Sequence, residues 1–230
     1  MTKIIQPGKI IIANCNESLN GIQNELLQKY NAFSYTKKDD LTLENLEKIE
    51  PDYIFFMHWS WIIPANIFEK YECIVFHMTD LPYGRGGSPL QNLIVRGHTS
   101  TKLSAIKVDA GIDTGDIYLK KNLELNGAAS EIFVRTGHLI KEMIDEILVK
   151  KIQPVKQIGE PVYFKRRTPG QSQLGDDLKT IDEVYNFIRM LDAPNYPHAF
   201  IETEFFKFEF NAANFSNNGE LTAHVRITKK

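Results

Sequence analysis

The chain has 230 residues, 43% apolar and 24% charged, a balance that suits one globular domain with or without a small appendage. A formal net charge of -2 and a pI near 6.3 give no general field for polyanions, so small molecules are the expected partners, with no nucleic acid and no membrane among them. Cys15 and Cys73 each border an apolar run and read as reduced thiols, and no apolar run nears the ~20 residues that span a bilayer.

The opening residues, Met1 to Ile12, carry lysines but lack the ~7–15-residue apolar stretch and cleavage site of a secretory leader, so a cytoplasmic protein is expected. Ile10 to Ala13, after Pro7-Gly8, reads as a strand, and Leu19, Ile22, Leu26 and Leu27 follow at helical spacing. Leu43, Leu46 and Ile49 predict a short helix, Asp52 to Met57 a buried strand, Pro64 the start of a helical turn, and Cys73 to Phe76 another strand. Pro89 to Arg96 follows as a helix, with proline suited to its first turn and Gly97 to its end. Leu103 to Val108 and Ile117 to Leu123 read as strands around a turn-rich segment, Asp109 to Asp116. A long amphipathic helix is expected from Ser130, as N-cap, to Lys150.

From Pro154 to Gly175 the composition shifts to Pro, Gly, Gln and basic residues, which reads as a linker. Beyond it, Ile181, Val184, Tyr185, Ile188 and Leu191 predict a helix. Phe206, Phe208 and Phe210 alternate with polar residues as a half-buried strand, and Asn217-Asn218-Gly219 turns into a last strand, Leu221 to Ile227. Strands alternating with helices predict an α/β architecture with a Rossmann-like, mostly parallel sheet. The expected division is a catalytic domain over 1–155, then a linker and small C-terminal α+β region over 156–230. The aromatic stretch Phe200 to Phe215 would suit a homodimer contact.

Ligands of an open parallel sheet gather at the carboxyl ends of its strands. Asn14-Cys15-Asn16 lacks the glycines of a dinucleotide site, which weighs against hydride transfer. The loop His77 to Pro89 follows a strand directly, and a histidine backed by glycines and Arg85 is placed for proton transfer. Asp109, Asp113 and Asp116 lie among glycines on a third loop, from which a carboxylate could meet that imidazole, fix its tautomer and raise its basicity. Taken alone, a histidine placed like His77 is more often structural, and Asp113 reads as a turn former. The other histidines show no metal-ligand spacing, and no metal is expected.

His77-x-x-x-Leu81-Pro82, Gly86-Gly87-Ser88-Pro89 and Asp113-Thr114-Gly115-Asp116-Ile117 together resemble the formyltransferases that use 10-formyltetrahydrofolate, a likeness covering roughly residues 50 to 125. The wording Leu-Pro-Tyr-Gly-Arg-Gly-Gly-Ser-Pro-Leu and the tail segment Ile188 to Pro194 are most similar to the sugar-nucleotide branch, possible relatives including the formyltransferase of pseudaminic acid synthesis. The resemblance implies the formyltransferase fold and direct transfer of a formyl group onto the amine of a nucleotide-linked amino sugar, such as a UDP-linked 4-amino-4,6-dideoxy sugar. It assigns His77 and Asp113 as catalytic. The family's asparagine two residues before the histidine is replaced by Val75; His58 is the nearest candidate to replace that lost oxyanion donor, with protonated His77 or loop N–H groups as others, a contact of this kind being worth ~3–4 kcal/mol.

Phe56, Met57, Trp59, Ile62, Asp109, Ile112 and Gly115 are implied for the folate, and Thr79, Tyr83, Arg85, Gly86, Gly87 and Ser88 for the substrate. Two alternatives stand beside this reading: a methionyl-tRNA formyltransferase-like enzyme, disfavoured by the short tail and slight acidity, and a non-catalytic folate or nucleotide-sugar binding protein, suggested by Val75.

Overall fold

The computed structural model describes residues 8–216 and 218–230; Met1 to Pro7, where most of the leader reading falls, lie outside the described residues. In chain order the elements are β1 (Ile10–Asn14), α1 (Asn20–Tyr30), β2 (Phe33–Tyr35), α2 (Leu43–Ile49), β3 (Tyr53–His58), α3 (Ala65–Phe68), β4 (Glu72–His77) and β5 (Tyr83–Gly86). There follow α4 (Pro89–Val95), β6 (Ser100–Lys107), β7 (Ile117–Glu124), α5 (Ala129–Lys150), β8 (Val162–Phe164), α6 (Ile181–Arg189), β9 (Ala199–Glu202), β10 (Phe206–Phe215) and β11 (Leu221–Lys229). They fall into two compact units. One holds the chain up to Gly86 with 101–123 and 133–163, and the other holds 87–100, 124–132 and 164–230.

The first unit is built on a six-stranded sheet in the order β2-β1-β3-β4-β6-β7. β1 runs parallel to β2 and β3, and β3 parallel to β4, because each return passes through a helix; β6 lies antiparallel to β4. The mostly parallel α/β sheet expected from the alternating pattern is the one observed. All five residues of β1 are buried, which explains its unbroken Ile-Ile-Ile-Ala run: a strand covered on both faces has no polar side. Ile11, Ile54, Phe56 and Cys73 share one apolar cluster with Leu46 and Ile67 of the helices, each fully buried chain of this size contributing roughly 1.5–3 kcal/mol. Burial, with the nearby Glu72 charge, pushes the Cys73 thiol up to about 12, so it stays protonated as part of this core.

Helix ends follow local chemistry. The Thr42 hydroxyl accepts the Asn45 N–H at the start of α2, and Thr180 and Glu183 cap α6 reciprocally. α5 begins one residue before the expected cap. Ser130 lies inside its first turn with its N–H donated to Asp192 O at 3.0 Å, while the Glu131 carboxylate accepts the Ala128 N–H at 2.7 Å and does the capping. No helix among the described residues is long and apolar enough to cross a membrane.

The second unit carries an antiparallel sheet in the order β11-β10-β9, with α6 packed on β10 and Tyr185 4.9 Å from Phe215. Phe206, Phe208 and Phe210 fall on one face of β10 as the alternation predicts. Of the expected turn between β10 and β11, Asn217 lies outside the described residues; Gly219 has φ +80, a left-handed value that suits glycine. Arg189 is buried here, donating to Leu125 O at 2.5 Å and Gly127 O at 2.8 Å, which makes it a brace for the segment ahead of α5.

Candidate active site

β4 delivers His77 to the carboxyl edge of the parallel strands, and the chain then turns through Leu81-Pro82, joined by a cis bond, into β5. His77 is 8% exposed. Its Nε2 lies 2.8 Å from Gly84 O, and because a carbonyl only accepts, Nε2 must carry a hydrogen. Gly84 presents that carbonyl from φ +79, a conformation that costs a residue with a Cβ. In the neutral ring the lone pair is therefore on Nδ1, which faces Asp113 Oδ2 at 3.6 Å. The gap is too long for a direct hydrogen bond and sets two acceptors around a space for one proton. The carbonyl of Gly84, and not the carboxylate of Asp113, fixes the tautomer.

Asp113 is held from several sides. Its Oδ2 accepts the Gly86 N–H at 2.8 Å, and its own backbone is left-handed at φ +53. Gly115 packs so closely that a Cβ there would lie 1.7 Å from Lys107 O. The Gln157 side chain donates from Nε2 to Asp113 O at 2.9 Å and Gly115 O at 2.8 Å. Its Oε1 accepts from Arg85 Nη2 at 2.7 Å and Nε at 3.2 Å, and Arg85 also reaches the Tyr163 hydroxyl. Val155, two residues earlier, exchanges both backbone hydrogen bonds with Ile117, so the segment is pinned to β7. Sequence reading missed Gln157. A glutamine between Pro154 and Gly159 carries no motif, and its partners are backbone carbonyls.

His58 ends β3, and the register that pairs Phe56 with Val75 puts it level with His77 when extended by two residues. Its Nδ1 is 3.6 Å from Cys15 Sγ and its ring stands edge-on to Phe133. Val75, at the position of the missing asparagine, packs against the apolar cluster around Phe56. Phe56 and Met57 are buried in the core, Trp59 packs 5.6 Å from Phe56, and Ile62 and Ile112 are 79% and 61% exposed. Asp109 organises its own turn, accepting from Gly111 N–H and the Thr114 hydroxyl. Thr79 is fully buried with its hydroxyl on Gly84 O, supporting the loop from beneath, and Tyr83 and Gly86 are half-buried on β5. Gly87 and Ser88 belong to the second unit, where a Cβ on Gly87 would meet Arg166 and the Ser88 Oγ accepts the Arg167 N–H at 3.1 Å. No group of three or more His, Cys, Asp or Glu among the described residues is placed to hold a metal ion.

The formyl transferase family model matches residues 13–139, more than half of the chain, and the model described as the methionyl-tRNA formyltransferase C-terminal domain matches 169–228. A solved structure, methionyl-tRNA formyltransferase from Clostridium thermocellum, is 49% identical over 97% of this chain and 100% of its own, with a TM-score of 0.91. Curated methionyl-tRNA formyltransferases from Francisella philomiragia and Rickettsia typhi are 32% and 35% identical over 84% and 57% of the chain. The chain spans 64% and 46% of their lengths. A 4-N formyltransferase from Francisella tularensis is 18% identical with a TM-score of 0.62, a likeness of fold alone.

These findings overturn the expectations of a nucleotide-linked amino sugar, of the pseudaminic acid pathway and of no nucleic-acid partner. Within the Gly-Arg-Gly-Gly-Ser-Pro wording, the Gly86 N–H is donated to the Asp113 carboxylate. A net charge averaged over the chain also hides local basic runs such as Lys165-Arg166-Arg167. The chain belongs to the formyltransferase family, the enzymes whose formyl donor is 10-formyltetrahydrofolate.

Proposed function

We infer that this protein formylates the amino group of methionyl-tRNA in the cytoplasm, with 10-formyltetrahydrofolate as donor. The observation that carries the acceptor is the 49% identity, over essentially the whole of both chains, to the structure named methionyl-tRNA formyltransferase, together with the C-terminal match over 169–228. The chemistry rests on the His77–Asp113 pair.

The donor supplies an electrophilic formyl carbon. The residues around the strand ends fit a pterin: Trp61, Ile62 and Ile112 expose apolar surface, and the buried indole N–H of Trp59 has no partner among the described residues. A neutral amine that attacks the formyl carbon becomes acidic and must lose a proton. His77 Nδ1 takes it, because Nε2 is committed to Gly84 O, and Asp113 at 3.6 Å stabilises the imidazolium that results. The fixed ring then returns the proton to the departing nitrogen. His58, level with His77 on the neighbouring strand, is the side chain we assign to the oxyanion contact that Val75 cannot make.

The test is to supply the purified chain with 10-formyltetrahydrofolate and either methionyl-tRNA or free methionine. Formylmethionyl-tRNA is expected, with free methionine unchanged. Consumption of the donor with no formyl group on the tRNA would overturn the reading.

A further inference from the structure

We propose that Gln157 is a positioning residue of the formyl-transfer site, holding the Asp113 carboxylate against His77 by clamping the Asp113–Gly115 turn to Arg85. The role rests on the function inferred above for its kinetic consequences, but not for its geometry.

The carboxamide of Gln157 is used completely. Both hydrogens of Nε2 go to carbonyls, those of Asp113 and Gly115, and Oε1 receives two hydrogens from the Arg85 guanidinium. Carbonyls only accept and a guanidinium only donates, so the orientation of the amide is dictated by its partners. Few side chains could replace it. Glutamate would keep the contact to Arg85 but set a carboxylate oxygen against two carbonyl oxygens, and a shorter amide would not reach both groups.

What the clamp holds is the turn that aims Asp113. That residue's backbone is left-handed, at φ +53, a conformation uncommon outside glycine, though less so for aspartate, that surrounding contacts help to impose. The Gln157 contact to Asp113 O is one such imposition, and the Gly86 N–H on Oδ2 is another. The clamp also ties Arg85 of β5 to the same turn. The loop bearing Gly84, which fixes one nitrogen of His77, and the loop bearing Asp113, which faces the other, therefore move as one piece. Displacing a reacting group by an ångström can cost about 100-fold in rate, which gives a residue with no contact to the imidazole a large lever on turnover.

Two variants separate this role from a general structural one. Gln157→Glu keeps the acceptor for Arg85 and loses both donors; Gln157→Met has the same length and no polar group, and serves if the glutamate variant fails to fold. The first readout needs no substrate: the Gly86 amide, whose acceptor is the Asp113 carboxylate, is expected to exchange with solvent about tenfold faster in either variant, with thermal stability changed little. The second is turnover. kcat is expected to fall about 10- to 100-fold with KM for the formyl donor within about threefold, and in an Asp113→Asn background Gln157→Glu is expected to cost nothing further.

Unchanged Gly86 exchange, or losses that multiply in the double variant, would overturn the proposal. So would a Gln157→Glu enzyme with normal kcat, since the clamp would then serve Arg85 alone. A wild-type chain that forms no formylmethionyl-tRNA, in the presence of the expected exchange behaviour, would instead remove the functional reading and leave the clamp standing.

Discussion

β3 and β4 are adjacent parallel strands that end level with one another, each in a histidine, yet their surroundings differ sharply. The His77 ring is gripped by a carbonyl on one nitrogen and faced by a carboxylate on the other, both brought by loops that leave the sheet and return. His58 rests against Phe133 and a half-buried thiol. A strand end thus offers a position, while the returning loops supply the chemistry. The left-handed residues Gly84 and Asp113 and the closely packed Gly115 are what allow those loops to return.

The contrast can be broken by substitution. His77→Ala is expected to lower kcat/KM by about 10³- to 10⁴-fold, an effect of general acid–base size, in a formylation assay at saturating methionyl-tRNA. A loss of less than tenfold would show that the gripped ring is structural. Gly115→Ala forces a Cβ against Lys107 O, so urea denaturation is expected to show about 2–3 kcal/mol of lost stability, with activity impaired further through Asp113. Stability equal to wild type would mean that the turn relaxes freely.

His58→Ala sharpens the comparison from the other side. As the proposed oxyanion donor it is expected to cost about 10- to 100-fold in kcat, less than His77, and unchanged turnover would leave His58 as a packing residue only. The smallest effect lies beneath the loop at Asp80. Burial raises its carboxyl, but hydrogen bonds from Lys120 and Lys102 outweigh that and hold it below the ordinary carboxylate range. Its contribution is therefore present above about pH 4 and lost as pH falls through the lowered folded value. Asp80→Asn is expected to be less stable than wild type at pH 7 by a margin that closes in acid; a margin independent of pH would assign the effect to packing.

Much of this was legible in the sequence. The run Ile10 to Ala13, the buried Ile54 to Met57 and the helix ending at Lys150 announce themselves through apolar period and length, and the spaced motifs mark His77 and Asp113. The three-residue strands β2 and β8 and the four-residue β5 are too short to show a period, and half of β5 is glycine. Backbone acceptors leave no trace either. Nothing in the letter for Gly84 says that its carbonyl will hold an imidazole, and nothing near Gln157 says that its amide will reach across forty-four positions to the Asp113 carbonyl. Whole-chain charge and the wording of one loop do not describe the surface that selects an acceptor, which is why the sugar expectation fails.

The measurement that bears most directly on the account is a double-mutant cycle on the pair itself, with formyl transfer to methionyl-tRNA followed in wild type, His77→Asn, Asp113→Asn and the double variant. If the carboxylate acts only by stabilising charge on the imidazole, the double variant will be no slower than His77→Asn alone. Losses that multiply would mean that the two groups work independently, and the proton path through His77 Nδ1 would have to be abandoned.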